Sequence, residues 1–305
     1  MKPFTFRALV AVALISISTR AVAQTAAAYQ SVINSESPSH YFTLDNTLTD
    51  SVGAAPALNG FSHTFTTNLW GDPSAAAAFH NGGDILTNST DLFSGGGTAP
   101  NPGATGTGSM SFLLRTLTGV ATNQSWVFGQ STSLGTSNQF FLFFDRNTAS
   151  SDPGALKLVV GDTTNTILSL NRISFRSWYY FGVTYDESRD AGEVRWYLGL
   201  PGGPLNSGTL DMGNSAVVGD NYSVSFGNRS AGNQVSFSNP GDGGIDEIAI
   251  WNRELSSSEI TAQFNAIVPE PSGASLLVLG LALGAAMRSQ RRRQWERDRQ
   301  RDASP

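Results

Sequence analysis

The chain has 305 residues, no cysteine, three histidines and a net charge of −5. Without cysteine there is no disulfide, thiol nucleophile, iron–sulfur cluster or cysteine zinc site, and His40, His63 and His80 form neither an HExxH motif nor a close pair. Between residues 24 and 267 stand 9 Lys+Arg against 20 Asp+Glu, a local net charge of −11 that argues against nucleic acid, whose binding needs a cationic face.

The N-terminus reads as an export signal. Lys2 and Arg7 supply a positive start, residues 8–17 form a short apolar stretch, and Ala21-Val22-Ala23 is a small-residue cleavage site. Residues 1–23 are therefore expected to be removed between Ala23 and Gln24. The apolar stretch is too short for a lasting membrane span.

Residues 24–267 are expected to form one large all-β domain. Aromatic and β-branched segments alternate with Gly, Asn, Ser, Asp and Pro clusters, the pattern of a sandwich. Candidate strands are 40–44, 76–79, 109–114, 126–129, 139–144, 155–160, 178–185, 193–198, 222–227 and 245–251. In 178–185, Tyr179, Phe181, Val183 and Tyr185 share one face, and Trp178, Tyr180, Gly182 and Thr184 share the other. Both faces are largely apolar, so this strand is expected at the centre of a sheet, covered on both sides. Residues 186–192 should turn the chain back into 193–198 as a hairpin, and residues 94–108 read as a surface loop. One helix is expected in this body. Ser256-Ser257-Ser258-Glu259 fits a capping box, and Ile260 and Phe264, one turn apart, face the sheet before the helix ends near Ala266.

The tail has its own pattern. Val268-Pro269-Glu270-Pro271 precedes an apolar run over 274–287, followed by Arg288, Arg291, Arg292 and Arg293. The prolines end the folded body, the apolar run can enter a bilayer, and the arginines hold the last residues on the cytoplasmic side. Residues 274–287 reach about 21 Å as a helix, against a hydrocarbon core of about 30 Å. Adding 272–273 and a snorkelling Arg288 gives a transmembrane helix over about 272–288, suited to transient insertion. The order Pro269-Glu270-Pro271, short hydrophobic helix, arginine cluster resembles the PEP-CTERM sorting signal of Gram-negative bacteria. That resemblance implies an exosortase-type partner that removes the tail, leaving the protein at the cell surface or in the extracellular matrix, or membrane-anchored if unprocessed.

The body carries a second resemblance. The run Gly244-Ile245-Asp246-Glu247-Ile248-Ala249-Ile250-Trp251-Asn252-Arg253-Glu254-Leu255-Ser256, with Glu259-Ile260 after it, resembles the closing motif of laminin G-like, concanavalin A-like jelly rolls. The Trp178 strand followed by Val194-Arg195-Trp196-Tyr197-Leu198 does too, as do His40-Tyr41-Phe42-Thr43-Leu44-Asp45 and Asp50-Ser51-Val52-Gly53 as opening strand and turn. The resemblance implies an all-β jelly-roll sandwich with one short C-terminal α-helix, followed by the hydrophobic sorting helix. The Pro/Gly run over 199–204 departs from the tight turn common in the family and implies a longer loop.

The same architecture hosts β-glucanases, whose E-x-D-x-x-E signature projects acids from one sheet face. That signature is absent here, and Asp246 and Glu247 are adjacent, which on a regular strand sends them to opposite faces. No G-x-S-x-G supports a serine nucleophile. Several members of the resembling family hold calcium between first and last strands, which nominates Asp50 and Asp246 as ligands of one structural ion. The alternative is that Asp50 caps its own turn and Asp246 bonds backbone amides. Trp70, beside Gly71-Asp72-Pro73, is the best candidate for an exposed, sugar-stacking aromatic; most other aromatics, including those of 140–144 and 179–185, are expected to fill the core. The reading is a non-enzymatic, exported binding module for a polysaccharide or a cell-surface ligand. The alternatives are a glycoside hydrolase of the same fold and a purely structural biofilm component.

Overall fold

A computed structural model describes residues 25–53, 55–61, 63–79, 85–87, 107–115, 125–130, 139–144, 155–161, 167–174, 176–186, 188–211, 225–227, 243–267 and 287–288. The chain divides into residues 26–268, which carry the β-sheets, and a second unit made of its two ends. The expected signal cleavage at Ala23 and Gln24, and Pro269, Glu270 and Pro271 of the sorting segment, lie outside the described residues. Among the described residues no helix is long and apolar enough to cross a membrane.

The elements run α1 (Ala26–Ser35), β1 (His40–Phe42), β2 (Asn59–Phe61), β3 (Thr64–Thr66), β4 (Ala76–Phe79), β5 (Ile85–Thr87), β6 (Thr107–Arg115), β7 (Ser125–Gln130), β8 (Gln139–Phe144), β9 (Ala155–Gly161), β10 (Ile167–Arg172), β11 (Trp178–Asp186), β12 (Val194–Gly199), β13 (Leu205–Leu210), β14 (Ser225–Phe226), β15 (Gly243–Trp251) and α2 (Ser257–Ala266). One sheet has the order β13-β12-β11-β6-β15-β4-β3, with β1 also on β15; the other has the order β10-β9-β8-β7-β14-β5-β2. All pairings are antiparallel. The result is a two-layer β-sandwich. β11 does lie centrally, between β12 and β6.

Alternation along the strands makes two hydrophobic layers. Phe181, Val183, Phe112, Leu198 and Ile248 from the first sheet meet Phe128, Leu142, Leu158 and Phe226 from the second in the inter-sheet core. The opposite face of the first sheet presents Trp178, Tyr180, Tyr41, Leu113 and Trp251, and these pack with Tyr29 and Ile33 of α1 and Ile260 and Phe264 of α2. That second layer exists because β11 is apolar on both faces. A sheet face of this kind must be covered, and the two helices cover it.

Helix α1 was not expected. Its AAAYQSVINS sequence has no acidic first turn and no basic last turn, but Tyr29 and Ile33 sit one turn apart and are both fully buried. Helix α2 has the expected capping box: Ser256 accepts from the Glu259 amide and the Glu259 side chain accepts from the Ser256 amide. Gly199 is required where α2 crosses β12, because a Cβ there would lie 2.4 Å from the Phe264 ring. The Pro/Gly run closes as a five-residue hairpin loop between Gly199 and Leu205, with Gly202 at φ +79°.

Glu36 ties the two helices to the last strand. Its carbonyl accepts from the Trp251 indole N–H at 3.2 Å and from Arg253, and its carboxylate accepts from Gln263, whose own carbonyl oxygen accepts from the Tyr180 hydroxyl. Trp251 is 1 % exposed and Trp178 is 8 % exposed. Truncating either to Ala is expected to cost about 3–5 kcal/mol; at Trp251 the Glu36 carbonyl loses one of its two donors and keeps Arg253. Denaturant melts of both variants check this. Losses under about 1 kcal/mol would contradict the burial.

Candidate functional site

All nine residues of β15 are buried. Ile245, Ile248 and Ile250 belong to the inter-sheet core, and Ala249 and Trp251 to the helix-side layer. On a regular strand, residues three apart lie on opposite faces. Ile245 and Ile248 share one because a β-bulge intervenes: the register against β6 shifts between Asp246 and Ala249, and Glu247 adopts φ +55°. Asp246 pairs with Leu113, on the helix side, and Glu247 meets Tyr41 and Gln30 there. The bulge therefore turns both carboxylates to the same face, correcting the expectation that they point apart. It lies where the neighbour of β15 changes from β4, paired through Ile245, to β1, paired from Ile248.

Both carboxylates are fully buried. Glu247 accepts from the Tyr41 hydroxyl and, at 2.9 Å, from the Gln30 amide, which also donates to Asp45 at 3.1 Å. Burial is the main force on Glu247 and pushes its carboxyl up to about 8, against the pull of these donors. Among the described residues Asp246 accepts only from the Glu247 amide, at 2.9 Å, and its Oδ2 has no partner. Burial, then the charges of Glu247 and Asp45, hold its carboxyl well above the usual range. Leu44 and Asn46, flanking Asp45, also have positive φ, at 55° and 53°. Strained backbone at Leu44 and Glu247 thus brackets the acidic centre.

The structure treats the two nominated calcium ligands differently. Asp50 Oδ1 accepts from the amides of Tyr41, Val52 and Gly53 at 2.9, 3.1 and 2.9 Å, and Oδ2 lies 3.3 Å from the Ala55 amide and 2.8 Å from His40 Nδ1. Burial opposes its charge, but the Tyr41 amide, His40 and the turn amides outweigh that and hold its carboxyl low. Gly53 permits this turn, since a Cβ there would lie 2.4 Å from Asp50 Oδ2 and from the Ser39 carbonyl. Four backbone amides and the His40 ring surround the Asp50 carboxylate, the arrangement of the turn-capping alternative. Asp246 keeps one oxygen open. Among the described residues no three His, Asp or Glu side chains gather into a metal-binding set.

Trp70 is half-buried, not displayed. The Asn68 side chain closes its turn through the amides of Trp70 and Asp72, and the indole tilts onto Tyr29 of α1 with ring centroids 5.7 Å apart. Its buried indole N–H finds no partner among the described residues. Asp45, Gln30, Tyr41 and Glu247 were not nominated from the sequence. Asp45 and Glu247 stood inside quoted motifs, but only the bulge and α1 bring them together.

Two open grooves lie away from these acids. One, of about 530 Å³, is lined by Arg172, Tyr179 and Asn206 among others. The second, of about 620 Å³, lies on the helix-side face of the first sheet, between α2 and the β12–β13 hairpin.

No protein-family model and no curated protein matches this chain. Solved structures do. The botulinum neurotoxin serotype D binding domain is similar at 14% identity and a TM-score of 0.51, over 75% of this chain and 51% of that one. The receptor binding domain of botulinum neurotoxin C/D mosaic serotype gives 15% and 0.51, over 75% and 51%. The serotype D ligand binding domain in complex with N-acetylneuraminic acid gives 14% and 0.51, over 78% and 52%. The chain spans about half the length of these structures, and at such identity the likeness is one of fold.

The buried acids make stability depend on pH. Glu247 at about 8 and Glu36 at about 7, raised chiefly by burial, both lie above their ordinary 4.5. Between those values the folded protein holds protons that the unfolded chain has released, so stability falls as pH rises from about 4.5 to about 8. Glu259, held down to about 2 by Arg253 and its cap, acts the other way, and its contribution is lost only in acid. In chelator-treated protein the melting temperature is expected to peak near pH 5 (about the ordinary carboxylate range) and to decline towards pH 8, with a shallower decline in Glu247→Gln. Melts across that range decide it. A melting temperature that climbs over the same interval would contradict the assignment.

Proposed function

We propose that this chain is an exported, non-enzymatic binding domain of the laminin G-like type, delivered to the cell surface or matrix by its PEP-CTERM-like tail. Its ligand is a glycan or a surface protein. The observation that carries the reading is the sealing of Asp246 and Glu247. Glycoside hydrolysis needs two carboxylates that can reach the sugar, and these adjacent acids are fully buried and bonded to or beneath structural groups. The likeness to domains described as receptor- or ligand-binding, one of them solved with N-acetylneuraminic acid, supports binding over hydrolysis. Trp70 enters this proposal as a packing residue near the acidic centre rather than as a stacking platform.

Protein recovered from the native host tests the proposal in two ways. Intact mass is expected to show a start at Gln24 and an end near Pro269-Glu270-Pro271, and a final surface species running from 24 to 305 contradicts processing. On a glycan array the same protein should retain one class of saccharide without releasing reducing ends. Turnover of any bound glycan would favour the hydrolase alternative, and an array without signal would favour a structural role or a protein ligand.

Calcium belongs to the same proposal in an altered form. We place its point of action at the open oxygen of Asp246, with Asp45 nearby, and not at Asp50. Millimolar calcium is expected to raise the melting temperature, by an amount equivalent to about 2.7 kcal/mol at a hundredfold excess over Kd. Asp246→Asn should lose that response. An equal response in the variant, or none in wild type, removes the ion.

A further inference from the structure

We infer that the groove between α2 and the β12–β13 hairpin is a subsite for a carboxylate-bearing saccharide, anchored by Arg195. The inference rests on the glycan-binding reading and names a ligand class and a place for it. On β12, Arg195 and Tyr197 alternate with the core residues Val194, Trp196 and Leu198, and so face the helix side. Their cross-strand partners on β13 are Thr209 and Ser207. The facing wall is the solvent side of α2, where Thr261 is exposed. Packing alone does not require polar side chains in this open groove, and its hydroxyls match a polyhydroxylated ligand.

Arg195 is the feature that selects among such ligands. Arg189 pairs with Asp186 and Glu254, Arg253 with Glu259, and Arg115 lies over the Trp178 ring, while Arg176 is exposed and lines neither groove. Arg195 is half-buried and has no carboxylate within ion-pair distance among the described residues. In a body of net charge −11, an arginine left unpaired inside a groove is a place where an anion is attracted rather than repelled. The guanidinium fork matches a carboxylate in two parallel hydrogen bonds, which a neutral sugar cannot offer. The hydroxyls of Ser207, Thr209 and Thr261 are then placed for the ring hydroxyls of a uronic acid unit.

Titration calorimetry of the full chain with tetragalacturonate, its methyl ester and the neutral galactose tetramer tests this. Wild type is expected to bind the uronate and to prefer it over ester and neutral sugar, with affinity falling as salt rises. Arg195→Gln should weaken the uronate by about ten- to a hundredfold, the loss of a charged hydrogen-bonding partner. Arg195→Lys should restore part of it. Thr261→Tyr, on an exposed helix position, fills the groove and should weaken binding without touching Arg195. Arg176→Gln, outside the groove, should leave the affinity unchanged. Equal binding of uronate and ester, or an Arg195→Gln variant that binds like wild type, overturns the subsite. If neutral glycans are held on an array equally by wild type and Arg195→Gln, the subsite fails while the glycan-binding reading stands. If no glycan is held at all, both fail.

Discussion

Two carboxylates with no cationic partner among the described residues lie buried on the helix side of the first sheet. A buried charge left without partners costs several kcal/mol. Here Tyr41 from the first strand and Gln30 from the first helix both donate to Glu247 on the last strand. Contacts spanning more than 200 residues of sequence are thereby joined at one point. The bulge that exposes these acids to the helix side also lets β15 change neighbours from β4 to β1 without losing β6. One local irregularity thus serves both sheet topology and electrostatics. Asp246 Oδ2 has no hydrogen-bond partner among the described residues, and burial favours its protonated form.

The helix-side layer, which covers the apolar outer face of β11, also covers these acids. Buried acids need a cover that excludes solvent yet supplies donors, and α1 does both: Tyr29 and Ile33 seal, while Gln30 donates. Glu36, just past that helix, links it through Gln263 to α2 and through its carbonyl to Trp251. Covering stops at the sheet edge. There the outward residues of β12 and β13 become polar and the groove with Arg195 opens. The buried acids and the groove therefore occupy different parts of one sheet face.

Much of the sandwich was legible because its central strands carry strong patterns. The run Gln-Phe-Phe-Leu-Phe-Phe is β8 over the expected bounds, and the two-faced apolar alternation of residues 178–185 marks a central strand. The Ser256 capping box marks the start of α2. The weaker elements escaped notice for physical reasons. β13, Leu-Asn-Ser-Gly-Thr-Leu, pairs on one side only among the described residues and has little apolar alternation to read. Helix α1 lacks charged end signals, so only its Tyr29–Ile33 spacing was available. The half-burial of Trp70 has the same origin, since its ring tilts onto Tyr29 of α1. The site was less legible than the fold. Alternation assigns Asp246 and Glu247 to opposite faces, and only a residue at positive φ, which no sequence pattern announced, puts them together.

The central claim is that Asp246 and Glu247 are buried structural acids that a saccharide does not reach. Carbodiimide coupling of a small amine to carboxyl groups in the native protein, mapped by peptide mass spectrometry, measures that access directly. The account predicts modification of exposed acids such as Asp190, and protection of Asp246 and Glu247 until the protein is unfolded. Labelling of either residue in the folded protein at the rate seen after unfolding would show an open acidic cleft, contradict the sealed centre, and favour the glycoside hydrolase alternative.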